Sequence, residues 1–486
     1  MRRSLHAALA MSALALPALV LPVAAWGEPT TEADAKAVEA AVRAHGPEGW
    51  SAPGLLRVRP EGEGYRLTFD TAKALANGIA PWTVKDATPV AIGLKKQADG
   101  LWNFSSTGDV RIATELLAGT RTNAMSLAVG ASSLKGVFDA ASSLPESVDF
   151  GFADAVLSLR AGQDSMRIAA KDFSMTSAVT GPAGSRSDVD ASFAMKDASA
   201  TMGTFPNPEV KLSAKTVDGT YRMGKVDLAG VSAILRFRQT LAPGKDAAGL
   251  SDADRKRLRE IFKAHLPLLD EIGGTVVASG LSLSQGGNAV TLERLDYRSR
   301  WEGMSDKAAF VVGAELVNAS MTPGVWPKEL VPILPSAAKL NLRLTGFDTG
   351  ALWKDTALVR SAQEVALLPR DHTEKLMFAD GKVTAELSDT SAKSGFYDIT
   401  LSGRIQLSMD RTSLPVGTLH LAAKDFDKTI KYLQDNSKPV PIFGQAAFFA
   451  LMIKGLGKTQ PDGSLLWDVT FDEAGKIMVN GQALPM

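Results

Sequence analysis

Two serine–lysine pairs have a spacing that chemistry could use, Ser132-x-x-Lys135 and Ser336-x-x-Lys339. On a helix, residues three apart share a face, so a desolvated lysine amine could take the serine proton and create a nucleophile for acyl transfer. The pattern goes no further. No Gly-x-Ser-x-Gly elbow accompanies either pair, nor do the companion motifs of penicillin-recognising enzymes. In a chain this rich in serine and lysine, such spacings arise by chance.

Histidine is scarce. Beyond His6 there are His45, His265, His372 and His420, and no two are close enough to form a helix-face metal pair. His265 adjoins Leu266 on an amphipathic run, His420 alternates outward between Leu419 and Leu421, and His372 lies beside Asp371 in a polar turn. These are expected to be surface or structural side chains. Asp468, Asp472 and Glu473 flank a turn but lack the glycine and spaced oxygen donors of a calcium loop. Asp252 and Asp254 match the preference of acidic residues for helix N-termini. The absence of cysteine excludes thiolate metal sites, thiol nucleophiles and disulfides. No phosphate loop or dinucleotide fingerprint occurs, so no catalytic, cofactor or metal site is predicted.

The elements that would carry any site are mostly strands. Apolar and polar residues alternate in short runs broken by glycine-containing turns. Leu340, Leu342 and Leu344 share one side. Leu281 and Leu283 lead through Gln285-Gly286-Gly287-Asn288 to Val290 and Leu292, the pattern of a hairpin. Ile399 and Leu401 are followed by Ile405, Leu407 and Met409. Leu465, Trp467, Val469 and Phe471 alternate before Ile477 and Val479. Asp99-Gly100, Asp218-Gly219, Asp380-Gly381 and Asp462-Gly463 are read as tight turns, and 181–185 as a hairpin tip or loop. Many short-turn strands predict a mainly β, β-rich α+β fold. The expected form is a long curved antiparallel sheet making a trough, with a few amphipathic helices.

Helices are predicted at four places. Glu32 to Ala44 follows candidate caps Thr30 and Thr31. A helix near 251–272 opens on Ser251 and Asp254, with Leu258, Ile261, Phe262, Leu266, Leu269 and Ile272 as its stripe and Gly273-Gly274 as its stop. The third lies near 425–434. The fourth, near 443–454, is apolar nearly all round, with Phe443, Phe448, Phe449, Leu451, Met452 and Ile453. A helix of that kind is usually buried, but aromatic and methionine side chains also suit acyl chains or a membrane surface. Phe443, Phe448, Phe449 and Met452 are therefore the candidate apolar-ligand or membrane contacts. Trp301 and Trp353 are ambiguous between packing and interface roles. A looser theme recurs, a strand running through an aromatic or aspartate into a short helix, at Gly346-Phe347-Asp348 and at Lys424-Asp425-Phe426.

The start of the chain has the features of an export signal. Arg2 and Arg3 precede an apolar run from Ala7 to Val23, and small residues at Val23, Ala24 and Ala25 offer a cleavage site before Trp26. The expected organisation is a signal at 1–25, a β-rich region with an initial helix at 26–250, and a second β-rich region with helices at 251–486. A periplasmic location follows if the signal is cleaved, and inner-membrane anchoring if it is not. Removal of 1–25 leaves 51 basic against 53 acidic side chains, a balance that argues against a nucleic-acid partner.

The C-terminal order carries a resemblance. A strand with Gly417, Leu419 and Leu421 precedes a helix at Asp425, then an apolar helix ending Gly455-Leu456-Gly457, then Leu466-Trp467-Asp468, Gly475-Lys476-Ile477 and Val479-Asn480-Gly481. This resembles the exported bacterial family known as domain of unknown function 2125. More distantly it resembles the YdgA-type and AsmA-type envelope proteins. The resemblance implies an envelope location and a curled sheet, and supplies no reaction and no catalytic residues. The leading expectation is a non-enzymatic periplasmic or envelope protein binding or shielding lipid-like apolar ligands in a curved sheet groove. The alternative is a structural scaffold that binds other envelope proteins, and a serine hydrolase is a distant third.

Overall fold

A computed structural model of the chain describes residues 31–45, 54–78, 83–118, 121–139, 144–181, 186–204, 209–241, 250–305, 307–322, 327–409 and 414–484. The expected export signal lies outside them. The fold is mainly β, with every strand pairing antiparallel and few helices, as the alternation predicts. The chain divides into two compact units interleaved in sequence: Met1–Asn207, Lys225–Leu268 and Val359–Ala362 in one, Pro208–Gly224, Leu269–Leu358 and Gln363–Met486 in the other.

The first unit begins with α1 (Glu32–His45), capped by Thr31, whose hydroxyl accepts from the Asp34 N–H at 3.2 Å. Strands β1 (Leu56–Glu61) and β2 (Gly64–Phe69), helix α2 (Thr71–Gly78), β3 (Thr83–Ala87) and β4 (Val90–Lys96) follow. Five long strands then meander: β5 (Trp102–Ala118), β6 (Arg121–Asp139), β7 (Leu144–Ala161), β8 (Asp164–Thr180) and β9 (Arg186–Thr204). Val38 and Val42 of α1 pack on Leu56, Val58, Leu67, Trp102 and Phe104, which close one end of the sheet under a true core.

The second unit runs from β10 (Val210–Asp227) through β11 (Glu271–Gln285), β12 (Asn288–Glu302), β13 (Ala308–Met321) and β14 (Ala337–Phe347). The last three residues of β10 and the helices α3 (Leu228–Gln239) and α4 (Asp252–His265) belong to the first unit. After β14 come α5 (Thr349–Thr356), α6 (Ala362–Ala366) and α7 (His372–Met377). Strands β15 (Lys382–Lys393), β16 (Asp398–Ser408) and β17 (Val416–Lys424) resume the meander. Helices α8 (Phe426–Asp435) and α9 (Ile442–Gly455) precede β18 (Lys458–Thr459), β19 (Leu465–Phe471), β20 (Ile477–Val479) and β21 (Gln482–Ala483). β19 returns beside β17. The β11–β12 hairpin turns at Gly286 and Gly287, with φ of 56° and 88°, the two positive angles that a tight two-residue turn needs.

Two expectations need correction. The helix near 251–272 has its predicted capping box at Ser251 and Asp254 but ends at His265. Pro267 has no N–H to continue the ladder, and the residue before a proline avoids helical geometry. Leu266 is extended, the Leu268 carbonyl accepts from Asp227 N–H at 2.8 Å, and Ile272 lies in β11. Gly273 and Gly274 are strand residues, where a Cβ would collide with the Ser299 or Thr220 carbonyl oxygen of the flanking strands. Asp218-Gly219 is likewise no turn: it pairs with Val277 and Val276 in the middle of β10. The other three aspartate–glycine pairs do sit in turns.

Among the described residues the strand–aspartate–helix theme occurs four times, at Asp70, Asp227, Asp348 and Asp425. Asp70, Asp227 and Asp348 accept the N–H three residues on, at 3.0, 2.9 and 2.8 Å, so each caps the helix that its strand enters. Arg66-Leu67-Thr68-Phe69-Asp70-Thr71 in the first unit matches Arg343-Leu344-Thr345-Gly346-Phe347-Asp348-Thr349 in the second, apart from one inserted glycine.

A further regularity lies inside the long strands. Asp154, Asp197, Gly280, Asn318 and Asp389 adopt φ between 47° and 60° in mid-strand, a conformation that aspartate, asparagine and glycine tolerate best. Such a residue interrupts the two-residue side-chain repeat. The apolar residues change parity at the same points. In β7, Val148, Phe150 and Phe152 give way after Asp154 to Ala155, Leu157 and Leu159. In β13, Phe310, Val312, Ala314 and Leu316 give way after Asn318 to Ala319 and Met321. Backbone and sequence switch phase together, which preserves one apolar face along each whole strand.

Candidate functional site

The polar candidates are separate, structurally employed side chains. Ser132 lies in β6, where residues three apart point to opposite faces; its hydroxyl donates to the Gly108 carbonyl at 2.9 Å while Lys135 pairs with Asp149. Ser336 immediately precedes β14 and donates to the Lys393 carbonyl, and Lys339 pairs with Asp389. The helix that a serine–lysine catalyst requires is absent at both places, so neither pair forms that arrangement. His265, His372 and His420 each face an aspartate, at 3.0 Å from Asp227, 3.1 Å from Asp355 and 2.7 Å from Asp468. His372 thus pairs away from its neighbour Asp371, which binds Lys375. Burial pushes the Asp227 carboxyl up, but the Gly230 N–H and the His265 ring outweigh it and hold the group below its ordinary value. Among the described residues no group of three or more histidines and carboxylates could hold a metal ion.

The sheet offers a different kind of site. Directly opposed residues in an antiparallel ladder share a face, so rows can be read across strands from the register. In the second unit one row runs Val217, Ala278, Leu295, Leu316, Ala338, Ala392, Ile399, Ala423, Leu465, across nine strands. A second crosses ten strands as Met223, Ile272, Trp301, Phe310, Leu344, Ala385, Ile405, Gly417, Phe471, Ile477. Neither contains a polar side chain. The row between Met223 and Tyr221 is the other face: Arg222, Gly273, Arg300, Val311, Arg343, Glu386, Arg404. There Glu302 is pushed up by burial, but Arg343 and Arg300 outweigh this and keep it ionised below its usual range.

A second layer packed on the apolar face would bury its side chains completely. It does not. None of the ten residues in the longer row is buried, and in the nine-strand row only Ala278, Ala423 and Leu465 are. Leu283 and Tyr297 are 47% and 44% exposed. Tyr221 on the same face is 39% exposed. The first unit repeats the arrangement. Ile112, Leu127, Leu157, Ile168 and Ala200 form one row, and Leu134, Phe150, Met175 and Phe193 another. Phe152 and Phe173 stack at 4.8 Å between ring centroids. Ile168 and Met202 remain exposed. Monomeric proteins rarely leave contiguous apolar surface of this extent uncovered.

Helix α9 divides the four candidate contacts. Phe443 is 3% exposed, packed with Leu433, Val440 and Ala447, and anchors the helix rather than lying on its outer side. Phe448, Phe449 and Met452 are 60%, 57% and 51% exposed. The usual fate of an all-round apolar helix, full burial, is not met here. Ile442, Leu451 and Ile453 join the exposed set beyond the four candidate contacts, because a helix without polar contrast does not announce its outer side. Trp467 fixes the helix end by donating to the Ile453 carbonyl at 2.7 Å, and Tyr432 holds α8 through the Glu329 carbonyl at 2.8 Å. Trp301 is part-buried in the sheet row beside Phe310 and Phe347. No helix among the described residues is long and apolar enough to cross a membrane.

Comparison with family models, with curated proteins and with solved structures finds no match.

Proposed function

We propose that the chain is a non-enzymatic envelope protein that binds or shields lipid-like apolar molecules on the open faces of its sheets. The observation that carries this is the pair of rows without polar side chains, nine and ten strands long, whose residues are mostly unburied. Acyl chains demand no hydrogen bonds and gain about 0.8 kcal/mol for each methylene taken out of water, so such a face suits them. A polar ligand would leave its donors and acceptors unpaired there. Export to the envelope is part of the proposal, supported by Arg2, Arg3 and the apolar run that follows them. The resemblance read from the C-terminal sequence order, which implies an envelope location, points the same way.

Native mass spectrometry of the purified protein tests the reading. Bound lipid should appear as discrete mass additions that vanish on denaturation. A clean apo mass, with no binding of a dye specific for apolar surface, would replace it with the scaffold alternative.

A further inference from the structure

We propose that α9 is a membrane-docking element that lies flat in the surface of an anionic bilayer. This goes beyond the ligand reading, because α9 is a different element from the sheet face and can fail independently of it. At about 100° per residue, Ile442, Phe448, Phe449, Leu451, Met452 and Ile453 sweep about 200° of the helix circumference. Phe443, Ala447 and Ala450 occupy the opposite, buried side. The helix is therefore held with half its apolar surface outward.

Three observations identify the occupant. Gln445 is the sole polar side chain on the outward arc, whereas a protein partner normally meets a rim of hydrogen-bonding groups around its apolar centre. Fourteen residues span about 21 Å, short of a hydrocarbon core of about 30 Å, so the helix suits the plane of the interface and not a crossing. Charge is complementary to an anionic surface. Residues 425–458 hold five lysines against three aspartates; Lys454 pairs with Asp427 and Lys431 with Asp435, and Lys438 before the helix and Lys458 beyond its end supply the positive charge that flanks the outward arc. Apolar side chains that insert and cations that meet headgroups are the two components of interfacial binding.

The chain has no cysteine, which allows a single reporter to be placed. Phe448→Cys in the full chain, carrying an environment-sensitive fluorophore, would be mixed with phosphatidylcholine vesicles with or without phosphatidylglycerol. Lys256→Cys on α4 serves as a control. The expected result is a blue shift at position 448 with phosphatidylglycerol vesicles, weakened by salt, and none at 256. Phe448→Ser/Phe449→Ser/Met452→Ser should weaken vesicle co-flotation at least tenfold while leaving far-ultraviolet dichroism and any co-purifying lipid unchanged. No shift at 448, equal binding to neutral vesicles, or concentration-dependent self-association abolished by the triple substitution would each overturn the proposal. Loss of co-purifying lipid with intact flotation would instead strike the sheet-face reading alone.

Discussion

Replacing Asn318 by valine isolates the phase switch inside the strands. Asn318 is exposed, has φ of 51°, and donates to Glu293. Valine in that conformation costs about 1–2 kcal/mol, and a surface position offers no packing to offset it. The exposed hydrogen bond to Glu293 adds a few tenths to about 1 kcal/mol. Asn318→Val should therefore lose about 2 kcal/mol, and Asn318→Gly, which relieves the backbone but keeps the loss of the side chain, less than about 1 kcal/mol. Ser282→Val, at an ordinary extended position of β11, should change stability by less than about 0.5 kcal/mol. Urea unfolding followed by tryptophan emission resolves these differences: with a slope of about 2 kcal/mol per molar, Asn318→Val should move the midpoint down by about 1 M. If the glycine variant is as unstable as the valine variant, the side chain matters and the backbone argument fails.

Other expectations follow from the same geometry. Trp467→Ala should cost about 3–5 kcal/mol, because Trp467 is buried against Phe426 and caps the Ile453 carbonyl; a thermal melt would show it, and an unchanged melt would detach α9 from the core. Ser251→Ala should cost about 1 kcal/mol in urea through loss of the α4 capping box. Asp227 has a folded-state pKa below its unfolded value, so its contribution is complete above about pH 4 and is lost as pH falls through the folded value. Asp227→Asn should thus be less stable than the parent at neutral pH, with the gap narrowing on acidification; a gap that widens below pH 4 would contradict the sign. Ser132→Ala and Ser336→Ala should leave any ester turnover by the purified protein at its parental level.

Much of the sheet was legible because alternation is a local property. Leu340, Leu342 and Leu344, the Gln285–Asn288 hairpin and the Leu465–Phe471 strand all stand where period two places them. The phase switches escaped notice, since a strand that changes parity at Asp154 or Asn318 looks like two short strands until its neighbours are known. Gly273-Gly274 and Asp218-Gly219 misled for a related reason: glycine also serves where another strand's backbone comes close, which only the register reveals. For α9 the apolar character was plain, but its outward side depends on which residues meet Leu433 and Val440, a tertiary matter. Of the four candidate contacts, Phe443 was drawn into that core and the other three were left outside.

The central claim is that the apolar face of the sheets, and not the charged one, meets lipid. A photoactivatable fatty acid cross-linked to the purified protein, with adducts located by peptide mass spectrometry, tests it directly. Adducts should fall on residues such as Leu295, Leu316 and Tyr297, and spare Arg300, Arg343 and Arg404. Labelling spread equally over both sets, or confined to the arginine rows, would contradict the account.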